Sequence, residues 1–160
     1  MELLLGVLAG LVLAFGLVLF VGAPYLPTLR PQVETAFELL ALRPGQTVLE
    51  LGCGDGKVLV AAARAGYKAV GVELNPILAF ISWLRTVRYR KQVRVVWGNY
   101  WRMRWPEADG VFVFLLDSFM PKLDTHMQQY KKPLVSVAFQ VPGRRADAEK
   151  NGVFLYNYRS

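Results

Sequence analysis

Residues 48–56 read VLELGCGDG, and the fold turns on how this stretch is read. The Val-Leu-rich segment 47–51 is a buried strand by composition, and KVLVAAARA at 57–65, rich in Ala and Val, is a helix. Between them Gly52, Gly54 and Gly56 make G-x-G-x-G. Glycines so spaced allow a tight turn, a close backbone approach to a ligand, and a helix start whose free N–H groups face it. A dinucleotide fingerprint, G-x-G-x-x-G, needs glycine at position 57, which is Lys57. The next strand, 68–72, runs into Glu73 (AVGVELNP), where a carboxylate can accept two hydrogen bonds from a ribose diol.

The alternation extends in both directions. A helix over 76–89 opens with Pro76, strands follow at 93–97 and 110–116, Pro121 opens another helix, and strands at 134–140 and 153–158 close the series. Upstream, Val33, Phe37, Leu40 and Ala41 lie at helical spacing in residues 32–42, a helix ended by Pro44-Gly45. Strands interleaved with helices give an α/β fold with an open, mostly parallel sheet, and its ligand site lies beyond the carboxyl ends of the first strands.

The 160 residues leave room for one domain, at 32–160, which excludes a multidomain enzyme. One cysteine, Cys53, excludes a disulfide framework and a cysteine-based zinc site; one histidine, His126, leaves no second imidazole, so no metal is expected. Cys53 fills a position in the glycine turn that needs a small residue, and His126 sits on a helix among polar neighbours, expected to be solvated.

Residues 3–22, LLLGVLAGLVLAFGLVLFVG, carry no charge over 20 positions, long enough to span roughly 30 Å of hydrocarbon as a helix. Glu2 near the start and the poor cleavage site after Gly22 favour an uncleaved anchor (1–23) over a signal peptide. Basic residues begin at Arg30, which puts the domain on the cytoplasmic side of a single-pass membrane protein. Residues 24–31 (PYLPTLRP) read as a short proline-rich linker. Between Leu74 and Pro106 lie seven basic residues and no acidic one, equal to the whole net charge of +7, interleaved with Trp83, Tyr89, Trp97, Tyr100, Trp101 and Trp105. Such a face suits an anionic bilayer surface; nucleic acid is disfavoured, because a short linker already holds the domain beside lipid.

The glycine turn, Glu73 and the PYLPT linker together resemble the class I S-adenosylmethionine-dependent methyltransferases. The resemblance is narrower to the small membrane-anchored lysine methyltransferases that in mitochondria modify the ATP synthase c-subunit and the adenine nucleotide translocase, and to their prokaryotic relatives. It implies a Rossmann-like sheet, with S-adenosylmethionine as cofactor and methyl transfer to a lysine of a membrane-associated protein, in a prokaryotic inner membrane. By that resemblance Gly52, Gly54 and Gly56 pass under the methionine moiety, Glu50 orients its amino group and Glu73 holds the ribose hydroxyls. Asn99 takes the place of an acid facing the adenine amine, and Tyr25 and Thr28 belong to the linker over the cofactor and substrate entrance. Asp117 and Ser118, after the fourth strand, are the candidates for acceptor contacts. Only one strand is legible beyond residue 140 where the methyltransferase sheet has two, so a sheet shortened at its C-terminal end is expected. The alternatives are a small or lipid-like acceptor, or a non-catalytic membrane adaptor that keeps the nucleotide pocket.

Overall fold

The computed structural model describes residues 1–21 and 30–158, with side chains for all of these except residues 11 and 14–21. Its helices are α1 (Glu2–Val21), α2 (Arg30–Leu40), α3 (Lys57–Arg64), α4 (Pro76–Thr86) and α5 (Met120–Tyr130). The strands are β1 (Thr47–Leu51), β2 (Lys68–Glu73), β3 (Val93–Trp97), β4 (Gly110–Val113), β5 (Leu134–Val137), β6 (Ala148–Lys150) and β7 (Val153–Tyr156). They form one sheet in the order β3-β2-β1-β4-β5-β7-β6. The pairs from β3 to β5 are parallel, while β7 runs antiparallel to both β5 and β6.

Successive side chains point to opposite faces, and both faces are covered, so the central strands are mostly apolar. Val48, Phe112 and Val135 face one cluster with Val33, Phe37 and Leu40 of α2 and Leu59 and Ala62 of α3. Leu49, Leu51, Val111, Val113 and Leu134 face the other, built with Leu123 and Met127 of α5. Phe37 meets Tyr67 edge-on, with ring centroids 5.5 Å apart. α2 starts at Arg30, before the expected position 32, and Pro31 sits in its first turn, where a missing N–H costs nothing.

Three expectations need correction. The sheet is not shortened: β6 and β7 form a hairpin that completes a seven-stranded sheet among the described residues. Strand β6 is three residues, Ala-Glu-Lys, half or fully exposed at the sheet edge, too short and too polar to show a strand pattern. Second, β4 and β5 end earlier than predicted. Ala138 takes a left-handed φ of 68°, which breaks the β5 ladder, and the Ser136 hydroxyl donates to the Phe139 carbonyl at 2.7 Å to hold the bend. Third, among the described residues no helix is long and apolar enough to cross a membrane, so the expected anchor over residues 3–22 finds no support here. α1 is a continuous helix whose described side chains are exposed, and much of its second half lies outside those described. The expected linker falls largely outside the described residues, and Tyr25 and Thr28 with it.

Candidate functional site

The strand order reverses direction at β1 and β4, and the loops beyond the carboxyl ends of β1 to β4 converge there. β1 leads straight into the glycine turn. Gly52, Gly54 and Gly56 have φ of 77°, 52° and 79°, all left-handed, which is the backbone that selects glycine at these positions. The Gly52 and Cys53 amides both donate to the Val72 carbonyl of β2, at 2.8 and 3.1 Å, so the turn is tied to the neighbouring strand before the chain enters α3. A side chain on Gly52 would meet nothing within 4 Å, whereas one on Gly56 would run into Ser82 of α4. The first glycine thus leaves open space over the turn and the last lets α4 close against it.

Cys53 is buried and points away from any reactive role. A Cβ on Gly71 of β2 would come within 2.6 Å of the Cys53 Sγ, so the thiol packs where the strand offers no side chain. Burial and the neighbouring Glu50 carboxylate push the thiol well up, which keeps it protonated.

Glu73, buried at the end of β2, accepts from the Asn75 amide through Oε1 and from the Gly54 amide through Oε2, both at 2.8 Å. Each oxygen keeps a lone pair, so the carboxylate can still take hydroxyl donors. Asn75 caps α4: its Oδ1 accepts from Ile77 and Leu78 amides at 2.9 and 3.3 Å, and Pro76 follows at the first helical position. Asp55 of the turn pairs with Arg85 of α4 at 2.5 Å and with Lys57 at 3.2 Å. Partial burial works against its charge, but these two cations hold the carboxyl below its ordinary range.

Glu50 is the unusual member. It is buried in β1, and its Oε2 has no hydrogen-bond donor among the described residues. Burial first, then the charges of Glu73 and Asp55, push its carboxyl well above the usual range. A buried acceptor without a donor, beside two other acids, is a place for a cationic amine that carries N–H groups. The glycine cradle and the orphaned Glu50 oxygen therefore fit the amino-acid end of S-adenosylmethionine, and Glu73 fits its ribose.

The structure brings Glu50, Gly52, Gly54, Gly56 and Glu73 together at the end of β1 and β2. Asn99, beyond β3, is half-buried, and its Oδ1 accepts from the Trp101 amide at 2.9 Å, so the oxygen expected to face an adenine amine also holds its own loop. Asp117 and Ser118 are exposed in a short turn (Asp117–Phe119) between β4 and α5. Sequence reasoning missed Asn75 and the Asp55–Arg85 tie, although an Asn immediately before a proline at a strand-to-helix junction is a legible cap. It counted Trp97 only among the aromatics of the basic stretch and not the bond by which its Nε1 donates to the Leu74 carbonyl at 3.0 Å. His126 is not simply solvated: its ring stacks on Trp105, centroids 5.5 Å apart at 17°.

A parallel-centred sheet with an antiparallel last hairpin, a left-handed glycine turn, and acids ending β1 and β2 define a class I S-adenosylmethionine-dependent methyltransferase domain. The chain belongs to the ANTKMT methyltransferase family, whose domain profile matches residues 50–148. It is 34% identical over 107 residues to the lysine N-methyltransferase of the ATP synthase c-subunit from Xenopus laevis, a match that covers 66% of this chain and 47% of that one. It is 31% identical over 127 residues to a protein-lysine N-methyltransferase of Saccharolobus islandicus (strain REY15A), covering 75% and 79%. Among solved structures, an RNA methyltransferase from Salinibacter ruber, in complex with S-adenosyl-L-homocysteine, superposes with a TM-score of 0.77 at 26% identity, covering 84% of this chain and 94% of that one. The chain spans about half the length of the vertebrate relatives it matches.

Proposed function

We propose that this protein transfers the methyl group of S-adenosylmethionine to the side-chain amine of a lysine in a membrane-associated protein. The observation that carries the cofactor half is the Glu50 oxygen, buried without a donor beside the glycine turn. When bound, the sulfonium supplies an electrophilic methyl, so the protein has little covalent chemistry to perform. Its residues bind and orient. Glu50 takes the cationic amine, the turn at Gly52 and Gly54 lets the backbone approach closely, and Glu73 takes the ribose hydroxyls. Asn99 offers its amide oxygen toward the adenine.

A free lysine has a pKa of about 10.4, so the acceptor must lose its proton before it can react. Partial burial of the acceptor against the site lowers that pKa. Asp117 and Ser118, at the strand-end side of the site, are the candidates to position it. The lysine half of the reading is supported by what the Xenopus and Saccharolobus enzymes are called, and the membrane half by the sequence: the uncharged run at 3–22 and the basic, aromatic stretch at 74–106. Together these favour a domain that works beside an anionic bilayer, which is its second partner.

The experiment is to incubate the full-length protein, and its Glu73→Ala variant, with methyl-labelled cofactor and separated membrane and soluble extracts, followed by mass spectrometry of labelled residues. Label on a lysine of membrane protein, lost in the variant, is the expected result. Label in RNA or soluble protein as readily as in membrane protein would overturn the acceptor. Label in lipid extracts would favour the small or lipid-like acceptor, and cofactor binding without turnover would favour an adaptor.

A further inference from the structure

Helix α4 is amphipathic the wrong way round for a helix of a water-facing surface. It buries Ala79, Ser82 and Thr86 against the domain and turns out Phe80, Ile81, Trp83 and Leu84, with Val87 just beyond its end. Phe80, Trp83, Leu84 and Val87 are 59%, 53%, 56% and 42% exposed, and their i, i+3, i+4, i+7 spacing sets them on one face. The Phe80 and Trp83 rings stack on each other, centroids 5.8 Å apart, so the stripe is continuous. Packing explains the small buried residues, since α4 must approach Gly56 closely at Ser82. It does not explain the large exposed ones.

The surroundings of the stripe say what covers it. Arg88, Arg90, Lys91 and Arg94 are exposed, and none of them is ion-paired among the described residues. Trp97 is 69% exposed at the edge of the sheet, pinned to Leu74 just before the α4 cap. An apolar ridge of Trp, Phe and Leu bordered by unpaired Lys and Arg matches an anionic lipid surface, where the ridge enters the acyl boundary and the cations meet phosphates. A protein partner would need several acidic groups along one edge to meet Arg88, Arg90, Lys91 and Arg94, whereas an anionic bilayer offers phosphates all along it.

We infer that the outer face of α4, from Phe80 to Val87, docks into the surface of an anionic bilayer and so holds the mouth of the glycine-turn site against the membrane. The Asp55–Arg85 pair joins that helix directly to the turn, and Glu73, which accepts from both the Asn75 and Gly54 amides, ties the helix start to it, so the docked helix fixes the orientation of the site. This deepens the bilayer part of the proposed function and is independent of methyl transfer.

The test places a nitroxide on the full chain at Phe80→Cys, Leu84→Cys or Val87→Cys, with Glu149→Cys on β6 at the opposite sheet edge as control. Cys53 is buried and stays unlabelled. The protein is added to phosphatidylcholine vesicles with and without phosphatidylglycerol. On anionic vesicles the three labels should gain oxygen access and lose access to an aqueous nickel reagent, raising that ratio several-fold, while the control stays in water. High salt should reverse part of the gain. Labels at 80, 84 and 87 that remain in water on vesicle-bound protein would overturn the docking face while leaving membrane attachment standing. Equal immersion in vesicles without phosphatidylglycerol, or dipolar broadening between labels showing a second copy on the face, would overturn it too. Protein that does not bind vesicles at all would overturn the docking face and the membrane reading together.

Discussion

Glu73 Oε2 accepts the Gly54 amide at 2.8 Å, so the acid ending β2 holds the middle glycine of a turn that follows β1. The same side chain holds Asn75 through its other oxygen, and with it the start of α4. A residue expected to bind the ribose is therefore also the one that shapes the cradle. Glu73→Ala leaves two amide N–H groups without their acceptor, and each such group costs about 1–3 kcal/mol when it stays buried. Denaturant unfolding of the ligand-free protein should show a lower midpoint for Glu73→Ala. Glu73→Gln should fall between the two, since an amide offers only one acceptor oxygen for two donors. Calorimetry should show Glu73→Ala losing roughly ten- to hundredfold in cofactor affinity, the size of a lost charge-assisted contact. Unchanged affinity would remove Glu73 from the ribose site.

Glu50 gives a pH-dependent prediction of definite sign. Its folded carboxyl titrates above the unfolded value, so between those two values the folded state holds more protons and stability falls as pH rises. Glu50→Gln removes that penalty. The ligand-free variant should melt higher than the wild type near neutral pH, with about 2–4 °C for each kcal/mol in a chain of this size, and the two should converge in acid. Cofactor binding should go the other way, weaker in the variant. In the wild type it should release protons as the cationic amine ionises Glu50, which calorimetry in buffers of different ionisation enthalpy reads directly. Equal proton release in Glu50→Gln would assign the proton to another group.

Much of this site was legible because its chemistry depends on spacing. The three glycines and Glu73 lie at strand ends that apolar runs reveal, and the alternation of strands and helices follows from the same runs; Glu50 came only with the resemblance, since a lone acid inside a strand gives no spacing signal. What was missed depends on residues far apart or on very short elements. His126 looked solvated because its stacking partner, Trp105, comes from a loop far upstream. Strand β6 escaped because Ala148–Lys150 carries no apolar alternation, yet Asn151 and Gly152 after it, with φ of 52° and 71°, are the Asn-Gly turn of a two-residue hairpin. That turn signal outweighed the polarity of the strand. The inverted face of α4 could not be read from periodicity, because a pattern of large apolar residues at helical spacing is ordinarily the buried one.

Gly56 tests whether the turn and α4 are packed as one unit. Gly56→Ala forces an L-residue to a φ of 79° and drives its Cβ into Ser82. The backbone part alone costs about 1–2 kcal/mol. Ser82→Ala removes the hydroxyl conflict but leaves the Ser82 Cα 3.1 Å from the new Cβ, so the double variant should recover part of the lost stability and not all of it. A double-mutant cycle measures that coupling. Strict additivity would mean that the turn relaxes away from α4.

Asp117 separates acceptor binding from cofactor binding. It is exposed in the turn after β4, on the side of the site away from Glu73, and none of the contacts that shape the glycine cradle passes through it. If it positions the acceptor amine, Asp117→Asn should leave cofactor affinity at the wild-type value and lower the rate of label transfer to the acceptor lysine by roughly tenfold, the loss of about one charge-assisted contact. A carboxylate that attracts a cationic lysine should show this chiefly as a higher KM, whereas one that orients the neutral amine for reaction should show it in kcat. Ser118→Ala, beside it, separates the two candidates in the same assay. Transfer unchanged in both variants would place the acceptor contacts elsewhere, and a matching loss of cofactor affinity would place Asp117 on the cofactor side.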